Sequence, residues 1–407
     1  MPAPDCDPEK NFQMLVANLD YSDYLGRLAI GRVFNGVVKS RDSLVRVDAE
    51  GNAKPLNVTK LQVYEGLEVA PVDEVQAGDI VILSGLEEVE IGDTICSADA
   101  PEALKRIYVD EPTVGMEFTV NTSPLSGREG KIVQGQKIGE RLYKETLFNV
   151  GLQVEKSDDS DTYIVKGRGE LQLAVLIETM RREGFELTVG RPKVIMKQED
   201  GKTLEPIETV SVDCEEPFVG AVTEKISLRK GKMTSMINHG SGRVRMEFSV
   251  PSRGLIGYRS QFLTDTKGSG LMSSYLDGFE EYRGEFPTRT TGSLVADRDG
   301  DAVAFALFNL ESRGKLFVTP GEPMYEGRII GESPKPRDLN VNPCKGKKLT
   351  NMRASGKDEN VQLTPIVPMS LEEAIEFIRD DELIEVTPES IRIRKAKLKA
   401  NDRKDRL

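Results

Sequence analysis

The chain has 407 residues, a formal net charge of -12 and a pI near 5.0. That is too long for one hydrophobic core and long enough for about three or four domains. An acidic average excludes a surface that attracts nucleic acid or anionic membrane throughout, so any polyanionic partner requires positive charge gathered in one place.

Cysteine usage narrows the chemistry. The four cysteines, Cys6, Cys96, Cys214 and Cys344, stand far apart with no CxxC pair, and His239 is the single histidine. Neither a zinc site nor a disulfide framework follows from such a set. No apolar run approaches the roughly 20 residues of a membrane span, and MPAPDCDPEK has no apolar signal core. A reducing cytoplasm is the expected compartment, with no membrane partner.

In chain order, residues 11–96 show short apolar runs, FQMLVANL, LGRLAIGRVF, SLVRV, DIVILSGL and IGDTIC, broken by Gly, Asp and Asn. This pattern predicts a small antiparallel β-barrel over 10–106, followed by the linker ADAPEALKRIYVDEP. The stretch 110–198 opens on the strand PTVGMEFTV. It continues into GRGELQLAVLIETMRREGFELTVGRPKV, where Leu173, Leu176, Ile177 and Met180 form one helical stripe that Gly184 ends before the strand FELTV. A two-layer α/β unit is expected.

Residues 203–288 repeat that architecture. The strand IETVSVDC precedes a helix with Val219, Val222 and Ile226 on one face, then strands MTSMINH and RVRMEFSV. A helix with Leu255, Tyr258, Phe262 and Leu263 and the strand GLMSSYLDGFEEY complete the order βαββαβ, which is ferredoxin-like. The remainder, 289–407, reads as a mixed, β-rich domain with strands in DAVAFALFNL, YEGRIIG, LIEV and SIRIR. Ser370 and Glu373 open a helix by a capping box. The predicted fold is thus multidomain: a β-barrel, two α/β two-layer (ferredoxin-like) domains and a mixed, β-rich C-terminal domain.

Within that last domain, 335–360 has neither helical nor strand period and reads as a basic loop. From Lys335 to Lys357 it carries Lys335, Arg337, Lys345, Lys347, Lys348, Arg353 and Lys357 against one acid, Asp338, whereas 61–104 contains no Lys or Arg. Like charges packed together repel one another, and phosphates neutralise them with release of counterions. Gly346, Gly356, Asn342, Asn351 and Ser355 add backbone freedom and neutral hydrogen bonds, which suits RNA read by shape and backbone. These seven cations are the candidate RNA-binding residues. Arg392, Arg394, Lys395 and Lys397, in the tail IRIRKAKLKANDRKDRL, are further candidates. There the alternation Ile391-Arg392-Ile393-Arg394 equally suits an edge strand whose charges block strand-to-strand pairing.

No residues stand out as catalytic or metal-ligating. GSGRVRM and TKGSG lack the strand, glycine loop and helix order of a phosphate cradle, and His239 reads as a turn residue beside Asn238 and Gly240. A GxxxxGK[ST] match is missing; Lys345-Gly346-Lys347-Lys348 lacks both the first glycine and the following hydroxyl.

GRGELQLAVLIETMRREGFELTVGRPKV resembles the second half of the third domain of translational GTPases such as elongation factor G, and EPIETVSVDCEEPFVGAVTEKISLRKGKM resembles the start of their fifth. PSRGLIGYRSQFLTDTKGSG and LNVNPCKGKKLTNMRASGKDENVQLTP resemble the TypA/BipA family. The resemblance implies a ribosome-dependent GTPase family using GTP and Mg²⁺, linked to stress response and ribosome function or assembly. It implies that the basic loop meets ribosomal RNA and A-site tRNA, in a monomer. MPAPD resembles the junction after the GTP-binding domain. The expectation is therefore a chain lacking that domain, with no catalysis and no cofactor of its own. An enzyme on a phosphorylated metabolite and a scaffold gripping an acidic protein are the alternatives.

Overall fold

The computed structural model describes residues 6–403 other than 23, 41, 57, 67, 87, 108–110, 148, 159–160, 239, 241, 287–288, 347–362 and 367. The chain divides into two compact units, one of Met1–Glu111 with Glu140–Val154, the other of Pro112–Gly139 with Glu155–Leu407.

The first unit is built on one antiparallel sheet. Its strands run in the order Ala53–Leu56, Leu44–Val47, Thr94–Ser97, Gln13–Ser22, Gly26–Asn35, Ile80–Leu86, Lys60–Glu65 and Glu68–Pro71. Alternate residues face inward, so Met14, Val16, Ala29, Val33, Val81, Leu83 and Ile95 meet in one core. The expected barrel does not close: the two end strands are four residues each, and no pairing joins them among the described residues. Asp93 is fully buried, and Arg46 at 2.6 Å and Arg106 at 2.5 Å neutralise it.

In the second unit one sheet runs through Thr162–Gly167, Val114–Thr119, Leu187–Val189, Glu382–Val386, Ile391–Lys395, Arg328–Ser333, Gly292–Ala296 and Leu339–Val341. Leu187 pairs with Val386, Thr188 with Glu385 and Val189 with Ile384. Stretches expected in separate domains, 110–198 and 289–407, therefore share one hydrogen-bonded sheet. Helix Glu170–Arg182 packs by its stripe: Leu173, Leu176, Ile177 and Met180 are buried, each contributing roughly 1.5–3 kcal/mol relative to exposure. Gly184, at φ +92°, takes the left-handed conformation that ends the helix.

A second sheet has the order Leu271–Glu281, Lys202–Glu215, Arg243–Pro251 and Lys232–Asn238, flanked by Lys197–Glu199. Helices Val219–Leu228 and Tyr258–Asp265 bury Val222, Ile226, Tyr258 and Phe262 against Val210, Val212, Phe248 and Val250. Leu263, expected on that face, is 44% exposed.

One expected strand is a helix. DAVAFALFNL folds as helix Ala304–Glu311, burying Ala306, Leu307 and Leu310. A short apolar run has no period that separates the two forms, and these positions share a face only at helical spacing. The capping box forms: the Ser370 hydroxyl accepts from the Glu373 N–H at 3.2 Å, and the Glu373 carboxylate accepts from the Ser370 N–H at 2.8 Å.

Candidate nucleic-acid interface

The basic segment starts on a rigid platform. Lys335 and Arg337 lie between strands Arg328–Ser333 and Leu339–Val341, both exposed, with no carboxylate within 4.0 Å among the described residues. Their backbone is pinned: the Gly292 N–H donates to the Lys335 carbonyl at 2.6 Å, and the Ser293 N–H to Asp338 Oδ1 at 2.8 Å. A Cβ on Gly292 would stand 2.2 Å from the Arg337 carbonyl oxygen, so only glycine permits this approach. The platform aims the chain, and the cationic tips stay in water.

Lys345 is likewise exposed, without a carboxylate partner among the described residues. Just before it, the Val303 N–H donates to the Pro343 carbonyl at 3.0 Å and Asn342 Oδ1 accepts from the Cys344 N–H at 3.0 Å. Lys347, Lys348, Arg353 and Lys357 lie outside the described residues. Cys344 and Leu363, on either side of 347–362, pack against the same core of Leu294, Leu307 and Met324, and the Thr364 N–H donates to Glu311 at 2.7 Å. Both ends of the segment are thereby fastened to one core.

The tail candidates differ. Strand Ile391–Lys395 lies between Glu382–Val386 and Arg328–Ser333, so it is not a sheet edge, and Arg392, Arg394 and Lys395 are buried. Arg392 pairs with Glu129 and, at 3.8 Å, with Glu385; Arg394 Nε meets Glu385 at 3.2 Å and its Nη2 donates to Thr122 at 3.1 Å. Lys395 Nζ meets Glu382 at 2.9 Å, Asp381 at 3.0 Å and Asp338. Tyr325 donates its hydroxyl to Glu385. These three cations are turned inward and neutralised, which corrects their reading as RNA contacts; Lys397 alone of the four is exposed.

The buried network perturbs its members. Burial raises the Glu385 carboxyl against the pull of Tyr325 and Arg394. Burial also opposes ionisation of Glu129, but the Thr387 hydroxyl and Arg392 win and hold it below the usual range. Lys395, disfavoured by burial, is raised by Glu382 and Asp338. Charges so placed are structural, because removing one strands another out of water.

Two exposed cations escaped the sequence reading. Arg313 and Lys315 sit at the strand Lys315–Leu316, which pairs with Arg328–Ser333 in the register Lys315 to Glu332. In the sequence ESRGK they are two isolated charges, and no local pattern marks them.

A cleft of about 400 Å³ nearby is lined by Arg229, Arg289, Lys315, Glu373, Glu376 and Phe377 among others. Arg229 is already engaged by the carbonyls of Gly254 and Ile256 and by Gln261, and Arg289 by Glu382 and Phe377. Close by, Glu170 accepts from the Gly257 N–H at 3.3 Å. Burial, then the Glu376 charge, push its carboxyl up to about 7, against the Gly257 N–H and Arg229. His239 lies outside the described residues, and among these no group of three or more His, Cys, Asp or Glu is placed to hold a metal.

Family models match three stretches: Elongation factor G domain 2 at residues 11–98, Elongation factor G C-terminus at 202–290, and TypA/BipA C-terminal domain at 291–400. Three curated relatives are named Large ribosomal subunit assembly factor BipA. That of Escherichia coli K12 is 51% identical over 405 residues, 99% of this chain and 67% of the relative. That of Haemophilus influenzae is 49% identical over 98% of this chain and 65% of its own, and that of Buchnera aphidicola 48% over 99% and 67%. A solved structure from Thermus thermophilus overlaps 67% of this chain and 56% of its own at TM-score 0.45 and 16% identity, too slight a likeness to argue from.

These matches overturn the expectation of a non-enzyme that lacks its GTP-binding domain. The relatives align over 99% of this chain and 67% of their own length, and where the sequence begins says nothing about catalysis. The expectation of no cofactor rested on the same inference and is withdrawn with it.

Proposed function

Because the chain belongs to the TypA/BipA family of translational GTPases, we propose that it engages the ribosome and touches ribosomal RNA and A-site tRNA through 289–407. The contacts are Lys335, Arg337, Lys345, Lys347, Lys348, Arg353 and Lys357, in service of ribosome assembly or function. One observation carries this reading. In an acidic chain, Lys335, Arg337 and Lys345 are exposed and lack a carboxylate partner among the described residues, while the other basic run is neutralised inside the protein. Uncompensated cations on a pinned backbone fit a phosphate partner.

In this reading 10–106 is a translation-factor module with an open sheet, 110–198 an α/β unit, and 203–288 ferredoxin-like, supported by its strand order. The family's chemistry uses GTP and Mg²⁺; no residue here is assigned to either, since the sequence offers no glycine loop followed by Lys and Ser or Thr.

The test is co-sedimentation with ribosomes across a salt series, comparing the chain with one in which Lys345, Lys347, Lys348, Arg353 and Lys357 are alanine. Each lost phosphate contact flattens the log-log salt slope by about 0.7–0.9. Equal slopes for the two proteins contradict the reading.

A further inference from the structure

We infer that the RNA-contact surface has a second, rigid row, formed by Arg313 and Lys315 beside Lys335 and Arg337, which grips the sugar-phosphate backbone of the same RNA. The inference rests on the function proposed above and adds residues that neither composition nor the loop supplies.

Placement comes from the sheet. Lys315 pairs with Glu332 and Leu316 with Gly331, antiparallel, and the Phe317 N–H donates to the Ile330 carbonyl at 2.8 Å. Continuing that register sets Gly314 against Ser333, and Arg313 precedes Gly314 in the turn that closes helix Ala304–Glu311. A Cβ on Gly314 would lie 1.9 Å from the Glu332 carbonyl oxygen and 3.2 Å from Ser333 Cα, so the two chains touch at this point. The Arg313 N–H closes the preceding helix on the Leu310 carbonyl at 2.8 Å. Arg313 and Lys315 are therefore held beside Ser333, two residues before Lys335, whose own segment is pinned by Gly292 and Ser293.

Charge balance points to an external anion. Arg313, Lys315, Lys335 and Arg337 are exposed, and none has a carboxylate within 4.0 Å among the described residues. Glu332, directly across from Lys315, accepts from the Thr291 hydroxyl at 2.6 Å and Glu311 accepts from the Thr364 N–H at 2.7 Å, and both keep their charge. Four mutually repelling cations against these two acids leave an excess of positive charge, which favours a polyanion laid along them. The adjoining cleft is a poorer candidate for a small anion, because Glu373 and Glu376 line it and its arginines are already hydrogen-bonded.

The experiment measures co-sedimentation with purified large ribosomal subunits between about 50 and 200 mM salt. It compares the unaltered chain, R313A/K315A, R313K/K315R and the five-alanine loop variant. Loss of two contacts lowers the slope by about 1.4–1.8 and shrinks the affinity drop over this range roughly tenfold, with R313K/K315R retaining the original slope. Both sites are exposed, so an unchanged melting temperature confirms intact folding. A lowered slope in the loop variant alone overturns this inference and leaves the proposed function standing. Unaltered slopes in both variants overturn both. Binding that survives nuclease digestion of the subunits overturns the RNA assignment in favour of an acidic protein surface.

Discussion

Two basic runs of this chain have opposite fates. Lys335, Arg337 and Lys345 stand in water on a pinned backbone, whereas Arg392, Arg394 and Lys395 are buried among Glu129, Glu385, Glu382, Asp381 and Asp338. Both look alike as composition. What separates them is the distribution of long-range acids: Glu129 lies 263 positions before Arg392, and only folding brings them together. A cation cluster signals a polyanion partner only when no carboxylate has been built to meet it.

The strongest way to break this contrast is to remove one inward cation. Arg394→Ala leaves Glu385 buried with one guanidinium, at 3.8 Å, and the Tyr325 hydroxyl, and should destabilise by about 3–5 kcal/mol. Urea unfolding checks this; a change below about 1 kcal/mol would mean that the inward network is dispensable.

Glu170 sharpens the comparison from the acid side. An exposed glutamate titrates near 4.5, but in the folded protein Glu170 titrates near 7, so the native state holds its proton more tightly than the unfolded chain. Stability from this group is complete below about 4.5 and is lost as pH rises through 7. Glu170→Gln should therefore gain on the order of 2 kcal/mol over the unaltered protein between about pH 5 and pH 8, allowing for its partial exposure. Urea midpoints at both pH values read this directly; parallel pH profiles would refute it.

A smaller effect tests the helix that precedes the inward strand pair. Ser370→Ala removes one half of the capping box and should cost about 1 kcal/mol, seen as a lowered thermal midpoint with ribosome binding unchanged.

Local patterns carried much of the architecture. The stripe Leu173, Leu176, Ile177 and Met180 and the capping box Ser370 with Glu373 need only near neighbours, and both formed as read. What local pattern cannot encode is pairing at a distance. The junction of Leu187–Val189 with Glu382–Val386 joins strands far apart in the chain, and the pairing of Arg328 with Arg394 and Ile329 with Ile393 makes the apparent edge strand Ile391–Lys395 an interior one. Ala304–Glu311 misled for another reason, since a short, uniformly apolar run carries no period. At the candidate site the loop was legible as charge. Arg313 and Lys315 were not, because only the strand pairing of Lys315 with Glu332 brings them near the segment that carries Lys335.

The most direct test substitutes alanine for Lys335, Arg337 and Lys345 together and measures stability and ribosome binding on the same protein. The account predicts an unfolding free energy within about 0.5 kcal/mol of the original and a salt slope lower by about 2–3. An unchanged slope, or a loss of stability like that of Arg394→Ala, would contradict it.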